Sequence, residues 1–351
     1  GVSSTTSYEF TIQGVSEAST QINFTGTGTV FDFRAPTNDD NGFRGISYLT
    51  VTGETLSGTH SGSNNSLTYV DQAGRNLDSL GMGTGSFAYN ETDGSLGAVA
   101  SFSTTVSTND TLTFSTISGG TDGDFDTGDT VTLYMSRDAS ETFLRAYTES
   151  NHPELYIHDI TVGAFHTLGR LVGYHGVISD CTFTRPAWAS AYGFYLEGSY
   201  DDGWPAADPD LGTREAIFVE DNTFQGYCHA VSGFCGVNYV FRYNTRNEDA
   251  RAGSGCGVDT HEPGYNECFP YGTPEEWNGG RSWEVYNNTF NSVDVDEHNG
   301  MYMRSGVGLV TGNTLNDQHI GITVLIDGNS RGCLLYTSPS PRDNDWYLVC
   351  R

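Results

Sequence analysis

The chain has 351 residues, a formal charge of −28 at pH 7 and 44 glycines, and all 16 of its basic residues are Arg. A surface this acidic repels nucleic acid, which argues against nucleic-acid binding. No apolar run approaches the ~18 residues of a membrane-spanning helix, so no membrane span is expected.

The last nineteen residues are expected not to be native. Residues 333–343 (CLLYTSPSPRD) and 347–351 (YLVCR) match the translation of sequencing-library adapters. Residues 333–351 are therefore not expected to belong to the native fold. The reading frame would then continue past the end of a gene fragment into the adapter. The true C-terminus, and also the true N-terminus before Gly1, are expected to lie outside this sequence.

Residues 1–150 predict a β-rich N-terminal region, because short alternating runs such as TLTFSTI (111–117) and TVTLYM (130–135) recur there. Two architectures stay open, a sandwich such as a carbohydrate-binding or jelly-roll module and degenerate leading coils of a helix of strands. Residues 138–150 are predicted to form one short helix.

An acidic segment in this region is a candidate calcium site. The segment 122–129 reads DGDFDTGD and offers four carboxylates, Asp122, Asp124, Asp126 and Asp129. Carboxylate oxygens at such spacing suit calcium. The alternative is an acidic hairpin loop, and calcium is the one cofactor that the sequence suggests.

Residues 151–332 carry a repeat. Segments 176–183, 217–224, 239–246, 283–290 and 308–315 align without gaps, and 155–162 is a weaker copy. The shared column holds Ile160, Cys181, Asn222, Asn244, Asn288 and Asn313. The period of roughly 20–25 residues is that of a β-solenoid coil, and two intervals about twice as long carry insertions. We expect the Asn residues to form a ladder at a turn; the alternatives are glycosylation sequons or plain turn residues.

A second set of segments follows the first at 193–197, 229–233, 257–261, 300–304 and 321–325. Alternation predicts two inward columns: Phe194, Ala230, Val258, Met301, Ile322 and Leu196, Ser232, Thr260, Met303, Val324. The outward columns are then Tyr195, Val231, Asp259, Tyr302, Thr323 and Glu197, Gly233, His261, Arg304, Leu325. Stacking such coils buries their inner faces as one core, which predicts an all-β parallel β-helix.

The repeat resembles right-handed parallel β-helix proteins of the pectate-lyase-like superfamily over about 155–326. Environmental β-helix proteins with similar EDNTF, YVFRYNT and RSWEVYNNTF segments share the likeness. The resemblance implies the architecture and, more weakly, action on a polysaccharide. Lyases of this group often use Arg or Lys as the base, and here only Arg is present.

The outward columns form the candidate site, with Asp259, His261, Tyr302, Arg304 and Glu197 as its catalytic candidates. The insertions 198–213 and 262–280 leave the same strand edge and are expected to wall a groove. Their aromatic residues, with two from the strands, are the candidate sugar contacts: Tyr195, Tyr200, Trp204, His229, Tyr265, Tyr271 and Trp277.

Two reactions and one alternative stay open. A lyase would use His261 or Tyr302 as base, Arg304 as carboxylate clamp, and Asp259 with Glu197 as a calcium cradle. An inverting hydrolase would use Glu197 and Asp259 as acid and base. The alternative is a non-catalytic surface or adhesive scaffold, at most glycan-binding, whose outward charges are a solvated face.

The cysteines indicate an oxidising, extracellular location. No CxxC pair occurs, so a zinc site is weakly supported. Cys228–Cys256 is the favoured disulfide because the alignment above places both in one column, whereas Cys256–Cys268 and Cys228–Cys235 are rivals. Cys181 is expected to stay a thiol. The sequence does not indicate an oligomeric state.

Overall fold

The fold is known from a computed structural model. It describes residues 2–4, 10–17, 19–24, 29–34, 44–53, 55–59, 66–70, 87–103, 109–119, 121, 125–134, 142–148, 153–163, 165, 167–184, 192–198, 211–248, 256–260, 279–292, 299–318, 320–324 and 332–336. Within these ranges the chain forms strands β1 to β30 and no helix.

Two large parallel sheets form the body of the protein. Sheet A contains, in spatial order, β1 (Val2–Ser4), β4 (Thr29–Arg34), β12 (Thr142–Tyr147), β14 (Thr167–Val172), β17 (Tyr192–Glu197), β20 (His229–Phe234), β23 (Cys256–Thr260), β26 (Asn299–Met303) and β29 (Ile320–Val324).

Sheet B has two halves joined by the long strands β5 (Arg44–Gly53) and β13 (Glu154–Gly163). The first half adds β2 (Phe10–Gln13), β15 (His175–Ser179), β18 (Ile217–Glu220), β21 (Asn238–Arg242), β24 (Ser282–Tyr286), β27 (Gly306–Thr311) and β30 (Gly332–Tyr336). The second half adds β3 (Gln21–Phe24), β16 (Thr182–Thr184), β19 (Thr223–Gln225), β22 (Thr245–Asn247), β25 (Thr289–Asn291) and β28 (Thr314–Asn316).

Each coil runs through both halves of sheet B and then through sheet A, as β18, β19 and β20 do in one coil and β21, β22 and β23 in the next. This is the predicted parallel β-helix. Strand β30 adds a rung beside β27 over the first residues of the segment that was expected not to be native.

A separate antiparallel sheet lies between β5 and β12 in the chain. It contains β6 (Thr55–Thr59), β11 (Thr130–Tyr134), β8 (Phe87–Asn90), β9 (Ser95–Ser103), β10 (Asn109–Gly119) and β7 (Ser66–Val70). The flanking strands β4, β5 and β12 already belong to the parallel sheets.

The predicted short helix over 138–150 is wrong, because Thr142–Tyr147 is strand β12. Its residues Phe143, Leu144 and Ala146 are fully buried, and the strand pairs with both β4 and β14. Tertiary pairing on both edges overrides the local helical preference.

The core is a stack of identical positions. Register pairs place one apolar side chain above another from coil to coil: Ile46, Ile157, Ile178, Val219, Phe241, Val285 and Val310. All are buried, as predicted for those after residue 175. Burying each contributes roughly 1.5–3 kcal/mol, so the column is a main source of stability.

The core also holds one buried charge pair that the repeat alignment did not single out. Arg246 occupies the column between Phe224 and Phe290, and its guanidinium lies 3.1 Å from the Glu248 carboxylate. Both side chains are fully buried, and Ser292 Oγ donates to Glu248.

The predicted asparagine ladder is confirmed. Asn288 Nδ2 donates to Asn313 Oδ1 at 2.9 Å and to the Phe241 carbonyl, while Asn288 Oδ1 accepts from the Asn244 backbone N–H at 2.9 Å. Asn244 holds Asn222 in the same way, and Asn222 Oδ1 accepts from the Cys181 N–H. The ladder therefore ties each coil to the next at the same turn.

The residue before each ladder position has a left-handed backbone. We name these residues the αL row: Tyr48, Asp159, Asp180, Asp221, Tyr243, Asn287 and Gly312, with φ between 51° and 65°. Asp, Asn and Gly tolerate this conformation best, which is why they occupy most of the row.

The register predicted for β20 is wrong by one residue. Phe194 pairs with Val231 and Val231 with Val258, so Ser232 rather than Val231 stands in the outward column. Four of the five residues in HAVSG are small enough to be buried on either face, so alternation carried no register information there.

We predict that Asn288→Ala destabilises the protein far more than Asn316→Ala. The first change leaves buried backbone groups without partners, at roughly 1–3 kcal/mol each, whereas Asn316 is exposed. Urea denaturation measures both variants, and equal midpoints would contradict the ladder.

Candidate binding site on the outer face of sheet A

The outer face of sheet A presents one continuous column of side chains. Register pairs order it as Asp32, Arg145, Arg170, Tyr195, Ser232, Asp259, Tyr302 and Thr323. Neighbours lie about one strand spacing apart, ~4.8 Å at backbone level. A ligand lying along the helix axis would pass one of these positions per coil, and the Ser232 and Asp259 side chains are buried at two of them.

Asp259 and Arg304 form a tight ion pair on this face. The Asp259 side chain is fully buried and that of Arg304 is 14% exposed. Arg304 Nε donates to Asp259 Oδ1 at 3.0 Å and its Nη2 donates to the other oxygen. The guanidinium also lies 5.0 Å from the centre of the Tyr302 ring. The predicted adjacency of Asp259 and Tyr302 is confirmed, whereas the ion pair between Asp259 and Arg304 was not predicted.

Glu197 is held by a second arginine. Its buried carboxylate forms an ion pair with Arg170 Nε at 2.6 Å and accepts a hydrogen bond from Arg170 Nη2 at 3.1 Å. The Arg170 side chain is 35% exposed. Both catalytic carboxylate candidates are therefore already engaged by an arginine.

Aromatic rings lie on the same outer face of sheet A. The Tyr192 ring stacks on Tyr195 at 4.6 Å and lies 4.5 Å from the His229 ring, and Tyr195 lies 5.5 Å from Phe234. Tyr192, Tyr195 and His229 are each partly exposed. Such rings offer apolar faces to a ligand beside a polar rim.

The other predicted contacts lie outside the described residues, namely His261, Tyr200, Trp204, Tyr265, Tyr271 and Trp277. The end of the second insertion is described: Gly279 bridges to Phe234, and its carbonyl accepts from the Gly236 N–H at 2.8 Å. The groove walls stay a prediction.

The calcium candidates are only partly described. Asp122 and Asp124 lie outside the described residues, and Asp126 is exposed. Asp129 Oδ2 accepts from Asn90 Nδ2 at 2.6 Å and from the Asp126 N–H at 2.7 Å, so it closes a turn. Among the described residues, no group of three or more His, Cys, Asp or Glu is placed to hold a metal ion.

Two arginines of the column were missed from the sequence. Arg145 is exposed and makes no ion pair with a described residue, and it pairs in register with Arg170. The signal was present: TFLRAY (142–147) and TLGRLV (167–172) carry Arg at the same place. The predicted helix over 138–150 conceals this likeness, because it gives the two segments different secondary structures.

The predicted Cys228–Cys256 disulfide is wrong. Cys181 and Cys228 are buried thiols, whereas Cys235 is disulfide-bonded. The register error in β20 explains this, because the observed pairing of Val231 with Val258 puts His229 rather than Cys228 opposite Cys256. Cys181 is a thiol, as predicted.

Comparison with protein-family models and with curated proteins finds no match. No helix long and apolar enough to cross a membrane occurs in the described part of the chain. The site must therefore be interpreted from its own chemistry.

We predict that Asp259→Asn destabilises the protein by roughly 3–5 kcal/mol, because it leaves Arg304 without its anion in a largely buried setting. The matched control is Glu215→Gln, which breaks an exposed pair with Arg214 and should cost about 0–1 kcal/mol. Denaturation midpoints separate the two. If Asp259→Asn destabilises the protein less than the control variant does, the Asp259–Arg304 pair is not the stronger of the two ion pairs.

We further predict that neither Cys181 nor Cys228 reacts with iodoacetamide in the folded protein. Burial raises the pKa of the Cys181 thiol, so it stays protonated in the native state, and stability falls once pH exceeds the unfolded thiol value of ~8.5. Both should react in denaturant without reductant, whereas Cys235 should not. Peptide mapping that finds Cys228 in a linked pair would overturn the assignment.

Proposed function

We propose that the protein binds an extended, uronate-containing polysaccharide along the outer face of sheet A. One observation carries the proposal: in a chain of charge −28, two outward arginines, Arg145 and Arg170, adjoin each other between Asp32 and Tyr195. An acidic protein repels an acidic glycan unless local positive charge offsets its field.

The chemistry of the column fits the parts of such a glycan. A guanidinium offers paired donors that match a carboxylate. Tyrosine rings pack against the apolar faces of sugar rings. Arg145 is exposed and has no ion-pair partner among the described residues, so it is the best placed to take a carboxylate, with Arg170 oriented beside it by Glu197.

Tyr302 and Arg304 repeat the combination of ring and guanidinium further along the column. A chain lying along the axis would then have an Arg–Tyr contact on both sides of the buried Ser232 and Asp259. This arrangement favours a ligand several sugars long.

Cleavage is a second candidate, and the part-exposed Arg304 clamped by Asp259 favours the lyase form. Arg304 would hold the uronate carboxylate, and Tyr302 or His261 would take the proton. A hydrolase needs two carboxyls that face the substrate, whereas Glu197 and Asp259 are both buried and bound by arginines. Calcium stays a prediction.

Location and family belong to the same proposal. The disulfide at Cys235 supports an extracellular protein. The stacked parallel strands are compatible with the right-handed, pectate-lyase-like superfamily that the repeat resembles.

Affinity electrophoresis in gels containing polygalacturonate tests the proposal. We expect retardation of the natural protein, and binding about tenfold weaker for Arg145→Ala and for Tyr195→Ala. Arg214→Ala is the matched control, because Arg214 is 93% exposed and lies outside sheet A.

Retardation that is absent, or equal in Arg145→Ala and Arg214→Ala, would reject the proposal. The same polymer in solution separates binding from cleavage. Unsaturated products that absorb in the ultraviolet indicate a lyase, and reducing ends without such absorbance indicate a hydrolase.

A further inference from the structure

The αL row contains two tyrosines where its other members are Asp, Asn or Gly. Tyr48 has φ 54° and Tyr243 has φ 58°, a conformation that is unfavourable for a bulky side chain. Both side chains are exposed, at 36% and 49%. Because neither ring is buried in the core, core packing does not explain why the backbone of Tyr48 and Tyr243 is strained.

Each tyrosine is held by a ring from the next coil. Tyr48 meets the edge of His158 at 5.4 Å, and Tyr243 meets Tyr286 at 6.0 Å, both nearly perpendicular. Arg242 also supports Tyr243, with its guanidinium 5.7 Å from the ring centre. The same supported, exposed ring is therefore built twice on one line of turns.

Three aspartates lie between the two tyrosines. Asp159, Asp180 and Asp221 occupy consecutive coils, ~4.8 Å apart at backbone level. Like charges side by side destabilise neighbouring strands. Asp159 Oδ2 lies 2.7 Å from His158 Nδ1, so one of the three carboxylates has a hydrogen-bond partner. Local features that cost stability are expected at functional sites.

We infer that the αL row is a second binding surface, for a neutral polysaccharide lying along the helix axis. It is separate from sheet A and does not depend on the function proposed there. Tyr48 and Tyr243 stack against sugar rings at two points four coils apart, roughly 19 Å. The carboxylates between them accept hydrogen bonds from sugar hydroxyls.

The charge of the row selects the ligand class. Three neighbouring carboxylates in a chain of charge −28 repel uronates and sulfated sugars, whereas hydroxyl groups are good donors to them. The neutral glycan on this row and the acidic glycan on sheet A are thus distinguished by charge.

Tyr243→Asn tests this inference without endangering the fold, because Asn tolerates the left-handed backbone better than Tyr does. We expect an equal or higher denaturation midpoint and about tenfold weaker retardation in gels containing hydroxyethylcellulose or galactomannan. Asp317→Asn is the matched control, since Asp317 is exposed with φ 53° and lies off the row.

The two surfaces are separated by a crossed comparison. Arg145→Ala and Tyr195→Ala should keep retardation by the neutral polymers, and Tyr243→Asn should keep retardation by polygalacturonate. Absence of retardation by either neutral polymer, or equal retardation of Tyr243→Asn and Asp317→Asn, would overturn the inference. So would a dimer that Tyr243→Asn converts to a monomer with unchanged glycan binding, because the row would then be a self-contact.

Discussion

One turn fixes the architecture of this protein. A left-handed residue is followed by a buried amide, and the amide bonds at once to the backbone of the preceding coil and to the amide of the next. Buried polar groups are costly when unpaired, so only the stacked arrangement satisfies them. The ladder thereby locks the register of sheet B, and the chain that follows enters sheet A at a fixed height.

That register decides which side chains become neighbours on sheet A. Arg145 and Arg170 adjoin because their strands are adjacent rungs, although 25 residues separate them in the chain. The carboxylates Glu197 and Asp259 are buried yet ionically paired, and each orients a guanidinium toward the outer face. Buried pairs of this kind contribute little net stability, so their value lies in the geometry that they impose.

The sequence predicted what repeats strongly. The Asn column and the apolar column beside it were recognisable because five segments share large, unambiguous residues, and both were confirmed. Asp259 and Tyr302 were placed as neighbours because GVDTH and GMYMR each carry a clear inward residue at the same place.

The sequence-based predictions that are wrong have identifiable physical causes. HAVSG contains small residues that fit either face of the sheet, so its predicted register is wrong by one residue. The predicted Cys228–Cys256 disulfide depends on that register and is wrong for the same reason. Thr142–Tyr147 looked helical because a strand paired on both edges owes little to local preference. Arg246 in the core column donates hydrogen bonds to backbone carbonyls that are distant in sequence and forms an ion pair with Glu248. The pattern of residues around Arg246 does not indicate these carbonyl partners.

The central claim is that Arg145 on sheet A contacts the carboxylate of an acidic glycan. Modification by phenylglyoxal, followed by mass spectrometry, reads this residue directly. The account predicts that an oligogalacturonide slows modification of Arg145 while Arg214 reacts at its usual rate. Equal modification of Arg145 with and without the oligosaccharide would contradict it.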